Sequence, residues 1–212
     1  TLPELDRLPA AELARTLGIL DQVAADHPGQ ERLTLAALLG ALEPETARTV
    51  LLRLRLSTRE AEAVGALVGA ATVDYQPGWT DADVRRYMGR VPAELLPQLL
   101  QLRASRAASS VEDDPEASER AAQLAERVAR QQAAASPLSL AQLAVDGRDL
   151  RETLGVPEGP LIGAILEQLL GDVIEEPSLN TRMTLLTRAS LILDRLMQRS
   201  GGPEGPTPPG IR

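Results

Sequence analysis

Apolar residues recur every three or four positions along most of this chain, and strict alternation of apolar and polar residues is scarce. The first spacing places apolar side chains on one face of an α-helix, whereas alternation would indicate half-buried strands. The sequence therefore predicts an all-α protein. Its predicted helices span residues 9–25, 33–42, 45–56, 57–73, 80 onward, 92–107, 119–135 and 180–199, with further helices between 140 and 180.

Residues that favour the first turn of a helix stand at the predicted starts of several of these helices. Ser57 and Glu60 have the spacing of a capping box, in which the hydroxyl and the carboxylate satisfy the first backbone amides. Asn180 is expected to cap the last helix. Asp81 and Asp83 open another helix, where carboxylates complement the amino end of the helix dipole. Metal binding is the alternative for this Asp-x-Asp pair, but neither a strand nor a Gly-Ser turn precedes it.

The most densely specified stretch is residues 140–180. Asp146–Gly147 predicts a turn and Gly155 the end of a short helix. Gly159–Pro160 predicts the start of a long helix, because proline has no amide hydrogen to lose at the first helical position. Gly163, one turn inside, is expected to leave room for close helix contact. The long helix also carries a broad apolar stripe, formed by Ile162, Ile165, Leu166, Leu169, Leu170, Val173 and Ile174.

Four pieces of this region carry a family resemblance: LAVDGRDL at residues 143–150, LGVPEGP at 154–160, IGAIL at 162–166, and the pair Asn180–Thr181. Their order resembles the C-terminal region of the bacterial class II tRNA nucleotidyltransferases, the CCA-adding enzymes, and of the related poly(A) polymerases. The glycines and prolines make this resemblance far more specific than a short motif would be.

The resemblance implies a helical body like a degenerate HD domain, followed by a helical tail domain. In a working HD phosphohydrolase, histidines and aspartates hold a divalent cation and its water. Here the His-Asp pair aligns with Gly40–Ala41, a later His with Ala70 or Ala71, and the final Asp with Ser105. Glycine and alanine side chains cannot ligate a metal, so we expect no metal site and no catalytic residue. The upstream matches are residues 35–39, 84–87 and 102–104.

The expected domain organisation follows from the polar segments. The run SSVEDDPEAS at residues 109–118 has the composition of a linker, and its acidic residues are expected to be solvated. The run GGPEGPTPPGIR has too little apolar content to pack. The predicted division is a helical body resembling a degenerate HD domain at 1–110, a linker and connecting helix at 111–136, a helical tail domain at 137–200 and a disordered tail at 201–212.

Composition narrows the classes of function. Cysteine is absent, which excludes disulfides and thiolate metal sites and fits a cytoplasmic protein. No apolar run is long enough to span a bilayer, so no membrane partner is expected. The net charge of −8 restricts any nucleic acid to a local basic patch. With no Phe, one Trp and two Tyr, recognition of single strands by aromatic stacking is not expected. The single histidine, His27, is placed in a polar loop at residues 26–30.

RNA contact is the activity that the resemblance leaves to this chain. In the family, body and tail hold the elbow and acceptor stem of tRNA by shape, and guanidinium groups suit phosphate oxygens. For any single arginine, the alternative is a solvated helix face or a surface ion pair. The candidate RNA-binding residues are Arg85, Arg86 and Arg90, expected on a single helix within reach of one surface, and Arg182 and Arg188 on the last helix, with Arg195 and Arg199.

Two functions stay open on the sequence. The first is the RNA-binding and positioning C-terminal portion of a tRNA nucleotidyltransferase, with tRNA or another structured RNA as partner. Its catalytic head, which would bind Mg²⁺ and the nucleoside triphosphate, would lie upstream, and no cofactor is expected in this chain. Because the chain begins with Thr1 rather than Met, it fits such a fragment. The second is a free-standing headless paralogue acting as a helical protein-interaction or dimerisation scaffold. The gene upstream of Thr1 distinguishes the two.

Overall fold

The computed structural model describes residues 2–110 and 114–200, with side chains described as far as residue 197. Within these residues the chain forms eleven α-helices and no strand, which confirms the predicted all-α class. None of the described helices is both long and apolar enough to cross a membrane. Part of the predicted linker, residues 111–113, and the predicted disordered tail, residues 201–212, lie outside the described residues.

The described helices are α1 Pro3–Asp6, α2 Ala10–Asp26, α3 Glu31–Leu38, α4 Pro44–Arg53, α5 Thr58–Ala71, α6 Asp81–Met88, α7 Leu96–Ser109, α8 Ala117–Ala133, α9 Gly147–Leu154, α10 Pro160–Glu175 and α11 Arg182–Ser200. Short 3₁₀ turns lie at Ala93–Leu95, Leu140–Gln142 and Pro177–Leu179.

The chain divides into two compact units, Thr1–Ala135 and Ser136–Arg212. The first unit contains α1 to α8 and the second contains α9 to α11. The finer division into body, linker, tail domain and disordered tail stays a prediction, as does the likeness of the first unit to a degenerate HD domain.

α5 provides much of the buried surface of the first unit. It packs against α3, α4 and α7, and α7 packs in turn against α2 and α8. Two glycines let α4 approach α5 closely. A methyl group at Gly69 would lie 3.0 Å from Cγ of Pro44, and one at Gly65 would lie 3.3 Å from the Pro44 carbonyl oxygen. The small side chains of α5 therefore allow tight packing. Its buried residues are Ala61, Val64, Gly65, Leu67, Val68, Ala70 and Ala71.

The starts of α5 and α6 are capped differently. Ser57 Oγ accepts a hydrogen bond from the Glu60 amide at 3.2 Å, which is half of the predicted capping box. The other half is wrong, because the Glu60 carboxylate instead accepts two hydrogen bonds from Arg32, at 2.8 and 3.0 Å. These bonds lower the pKa of Glu60. At α6 the box is complete: the Asp83 amide donates to Thr80 Oγ1 at 3.1 Å, and the Thr80 amide donates to the Asp83 carboxylate at 2.8 Å.

α9, α10 and α11 enclose the apolar core of the second unit. α9 begins at a complete capping box, in which Asp146 accepts from the Arg148 and Asp149 amides at 2.8 and 3.0 Å. Gly155 ends α9 and Pro160 is the first residue of α10, as the sequence predicts. The buried core residues are Val145, Leu150, Val156, Ile165, Leu169, Val173, Leu185, Ala189 and Ile192.

The predicted role of Gly163 is wrong. A methyl group added there would meet no atom within 4 Å, so this glycine does not permit a close helix contact. Gly147 has that role instead, because its methyl group would lie 2.9 Å from Cγ2 of Ile162. The close approach is thus between the start of α9 and the start of α10.

The predicted role of Asn180 as the cap of the last helix is also wrong. Its Oδ1 accepts a hydrogen bond from the Ala144 amide at 2.8 Å, and its Nδ2 donates to the Gln142 carbonyl at 3.0 Å. The side chain therefore fixes the loop before α9. α11 begins two residues later, where Thr181 Oγ1 accepts from the Thr184 amide at 3.4 Å.

Gly155→Ala should lower the free energy of unfolding by about 1–2 kcal/mol, because residue 155 has a left-handed conformation with φ of 66°. Urea denaturation followed by circular dichroism measures this loss in the free energy of unfolding. Gly163→Ala is a matched control, since both glycines face open space but Gly163 is inside a helix. There we expect a gain of about 0.5–1 kcal/mol. Equal effects of the two substitutions would contradict the conformational explanation.

Candidate nucleic-acid interface

Arg85 is buried, with 7% of its surface exposed. It lies on α6, and its Nη1 donates a hydrogen bond of 2.7 Å to Oε1 of Gln131 on α8. Gln131 is itself only 8% exposed. The guanidinium of Arg85 therefore stabilises the contact between α6 and α8. It does not lie on the exposed surface that carries Arg86.

Asp83 completes the capping box of α6, which confirms the preferred interpretation for this residue of the Asp-x-Asp pair, whereas Asp81 binds the neighbouring helix α8. Asp83 accepts hydrogen bonds from Thr80, and these lower its pKa. Asp81 accepts a hydrogen bond of 2.8 Å from Arg127 of α8, and this bond lowers the pKa of Asp81. Arg127 also donates to the carbonyl of Trp79 at 2.7 Å. The start of α6 is thereby fixed to α8 a second time.

Arg86 and Arg90 are exposed, but they do not share one helix. Arg86 lies on α6 and contacts Oδ1 of Asp83 at 2.8 Å, with about half of its side chain accessible to solvent. Arg90 lies two residues beyond the end of α6 at Met88. In the part of the chain that the structure describes, no carboxylate lies within 4.0 Å of the Arg90 guanidinium. The predicted grouping of three arginines thus becomes two exposed arginines near the carboxyl end of α6.

Arg182 and Arg188 both lie on α11, in the second unit. Arg182 binds Oδ1 of Asp149 on α9 at 2.7 Å, which lowers the pKa of Asp149. Arg188 binds Oδ2 of Asp172 on α10 at 2.7 Å. Arg188 follows Arg182 by six positions, which places the two arginines about 120° apart around the helix. They therefore face different directions, although both guanidinium groups keep substantial exposure.

Two of the positions aligned with HD ligands lie at a cavity of about 280 Å³ in the first unit. Gly40 and Ala41 line it, together with Arg15 and Arg106. Ser105 is buried, and its hydroxyl donates a hydrogen bond of 3.4 Å to Asp26. Besides the two arginines, only two carboxylates line this cavity, those of Glu12 and Glu43, and the described residues contain no cluster of three His, Asp or Glu side chains suited to a metal ion. This donor set does not fit the metal of an HD hydrolase.

A family model described as tRNA nucleotidyltransferase domain 2 matches residues 27–189. The chain belongs to this family. Searches of curated proteins and of solved structures found no match. The family match includes all of α3 to α10 and therefore spans helices of both units.

In this tRNA nucleotidyltransferase domain, the sequence interpretation missed the role of the arginines on α7. Arg103 donates to the carbonyls of Ala71 and Val73 at 3.3 and 2.6 Å, and its guanidinium carbon lies 5.5 Å from the ring centre of Tyr87. Arg103 therefore closes the carboxyl end of α5. Arg106, one turn later, lines the cavity with Arg15, which is 91 positions away in the sequence. No local signal joins residues at that separation.

Proposed function

We propose that this domain binds and positions tRNA for nucleotide addition by a tRNA nucleotidyltransferase. The observation that supports the proposal is the family match over residues 27–189. The exposed arginines Arg86 and Arg90 in the first unit and Arg182 and Arg188 in the second are the proposed phosphate contacts. Arg85 is left out of this set because its guanidinium is buried against α8.

Ion pairing does not prevent these arginines from contacting RNA. The pairs of Arg86, Arg182 and Arg188 lie at the surface, where a single ion pair contributes only about 0.2–1 kcal/mol. A phosphate group can replace such a carboxylate, because the guanidinium fork fits either partner. Arg90 has no carboxylate to release among the described residues. Local contacts of this kind are compatible with the net charge of −8.

The aromatic residues support recognition of RNA by shape. All three of them, Tyr75, Trp79 and Tyr87, belong to one cluster, with ring centres 5.3 and 5.8 Å apart along the series. Both tyrosines are buried, and Trp79 is partly buried. Stacking platforms for unpaired bases require exposed rings. The chain is therefore better suited to the backbone of duplex RNA, such as the helical arms of tRNA.

The double variant Arg86→Ala/Arg90→Ala should bind tRNA about tenfold more weakly than the wild-type chain at low salt. This loss corresponds to roughly 0.7 kcal/mol for each of the two contacts. The measurement is a filter-binding titration at several salt concentrations. Wild-type affinity should fall as salt rises, because each phosphate contact releases counterions. Loss of two contacts should make the plot of log affinity against log salt shallower by about two.

Arg48→Ala is the matched control for this titration. Arg48 lies on α4 and pairs with Glu45 three residues earlier, as Arg86 pairs with Asp83. Its removal should leave both the affinity and the salt slope unchanged. A wild-type chain that did not bind tRNA at low salt would contradict the proposal. An equal loss of affinity in Arg48→Ala would show that binding depends on overall charge rather than on the proposed contacts.

A further inference from the structure

Arg106 carries a charge that no group in direct contact with it neutralises among the described residues. It is partly buried on α7, and among the described residues no acceptor takes a hydrogen bond from its guanidinium and no carboxylate lies within 4.0 Å. Its pKa is lowered by burial, and the positive charges of Arg103 and Arg15 lower it further. A guanidinium in such surroundings favours an anion as its partner.

The guanidinium of Arg106 lies at the wall of the cavity of about 280 Å³. Its Nη1 is 3.3 Å from the point where Gly40 would carry a Cβ atom. Because Gly40 has no side chain and Ala41 only a methyl group, this wall leaves the guanidinium open to the cavity. Arg15 lines the same space from α2. Two positive side chains thus line one concave site.

The other polar groups of the cavity define what it can bind. Thr16 and Thr72 donate their hydroxyl hydrogens to carbonyls of their own helices, at 2.9 Å each. Glu12 and Glu43 also line the cavity, but neither lies within 4.0 Å of Arg15 or Arg106 among the described residues. Among the side chains at the cavity, the guanidinium groups are therefore the available donors, and the two glutamates limit how much negative charge a ligand can bring.

We propose that this cavity binds a phosphate group, held by the guanidinium groups of Arg106 and Arg15. A guanidinium presents parallel N–H donors that match two phosphate oxygens and form charge-assisted hydrogen bonds. The cavity is slightly smaller than the about 300 Å³ at which pockets for larger organic ligands begin, so a small ligand or a single nucleotide fits it better than a large cofactor. The phosphate could come from a small molecule or from an RNA chain. Neither Arg86 nor Arg90, the proposed RNA contacts of the first unit, lines this cavity.

Calorimetric titration of the whole chain with inorganic phosphate tests the site, at constant ionic strength with chloride as the competing anion. The wild-type chain should bind phosphate, and its melting temperature should rise with phosphate concentration. Arg106→Gln and Arg15→Gln should each weaken binding about tenfold or more, since each removes a charge-assisted contact. Without phosphate, Arg106→Gln should melt no lower than the wild type, because the substitution removes an unbalanced charge. Arg15 is exposed, so its variant keeps the test valid if Arg106→Gln does not fold.

Further probes identify the source of the phosphate. Adenosine 5′-monophosphate should bind and adenosine should not. Binding of a short RNA with a 5′-phosphate, but not of the same RNA without it, supports a terminal phosphate; equal binding of both RNAs, lost in Arg106→Gln, supports a backbone phosphate. Arg48→Gln should bind every probe like the wild type, and Arg86→Ala/Arg90→Ala should keep phosphate binding. The proposal is overturned if the wild type binds no phosphate-bearing probe, if adenosine binds equally well, or if the cavity variants bind like the wild type.

Discussion

Leu169→Ala should lower the free energy of unfolding of the second unit by about 2–5 kcal/mol. Leu169 lies in the middle of α10 and has no exposed surface. α10 packs against both α9 and α11, so removing the side chain leaves a cavity inside the core that these three helices enclose. The loss therefore combines the removed apolar transfer energy with the contacts that the surrounding side chains can no longer make.

Urea denaturation followed by far-ultraviolet circular dichroism measures this effect. Leu191→Ala on α11 is the control, because Leu191 is 51% exposed and its loss should change stability by less than about 0.5 kcal/mol. Trp79, the only tryptophan, belongs to the first unit, so its fluorescence shows whether that unit is affected. A loss below about 1 kcal/mol for Leu169→Ala would show that the three helices can close around the smaller side chain.

The second unit could be predicted well from sequence because its signals are local. Asp146 finds its partner amides within three residues, and Gly155 and Pro160 act through their own backbone restrictions. Gly163 and Asn180 were harder to interpret for the opposite reason. Whether a glycine lies against another helix, or an asparagine reaches a distant loop, depends on the tertiary structure. Sequence spacing does not contain that information.

The contacts around the candidate site join residues that are even further apart in the sequence. Glu60 binds Arg32 from 28 positions away, and Arg85 binds Gln131 from 46 positions away. Helical spacing predicted correctly that Arg85 and Arg86 share a helix, but not which of them is buried. On a helix of eight residues with five buried ones, little of the surface is left for exposed arginines. The sequence alone also does not distinguish Arg106 from an ordinary surface arginine, because only the fold places Arg15 at the same cavity.

Arg85→Ala should lower the free energy of unfolding of the first unit by about 2–4 kcal/mol. The substitution removes a buried cation and leaves Oε1 of Gln131 without the donor that lies 2.7 Å away. Denaturation followed by Trp79 fluorescence measures this effect, since the Trp79 ring centre lies 5.8 Å from that of Tyr87 on α6. Arg86→Ala is the control from the same helix, and loss of its exposed pair with Asp83 should cost no more than about 1 kcal/mol.

A double substitution separates the hydrogen bond from simple loss of packing. In Arg85→Met/Gln131→Met the alkyl stems stay and neither residue needs a polar partner, so stability should exceed that of Arg85→Met alone. Because a buried arginine cannot reach RNA, folded Arg85→Met should bind tRNA like the wild type, whereas Arg86→Ala/Arg90→Ala should bind more weakly. Weaker tRNA binding by folded Arg85→Met would contradict the assignment of Arg85 to the contact between α6 and α8. No recovery in the double variant would show that Gln131 is not the partner on which Arg85 depends.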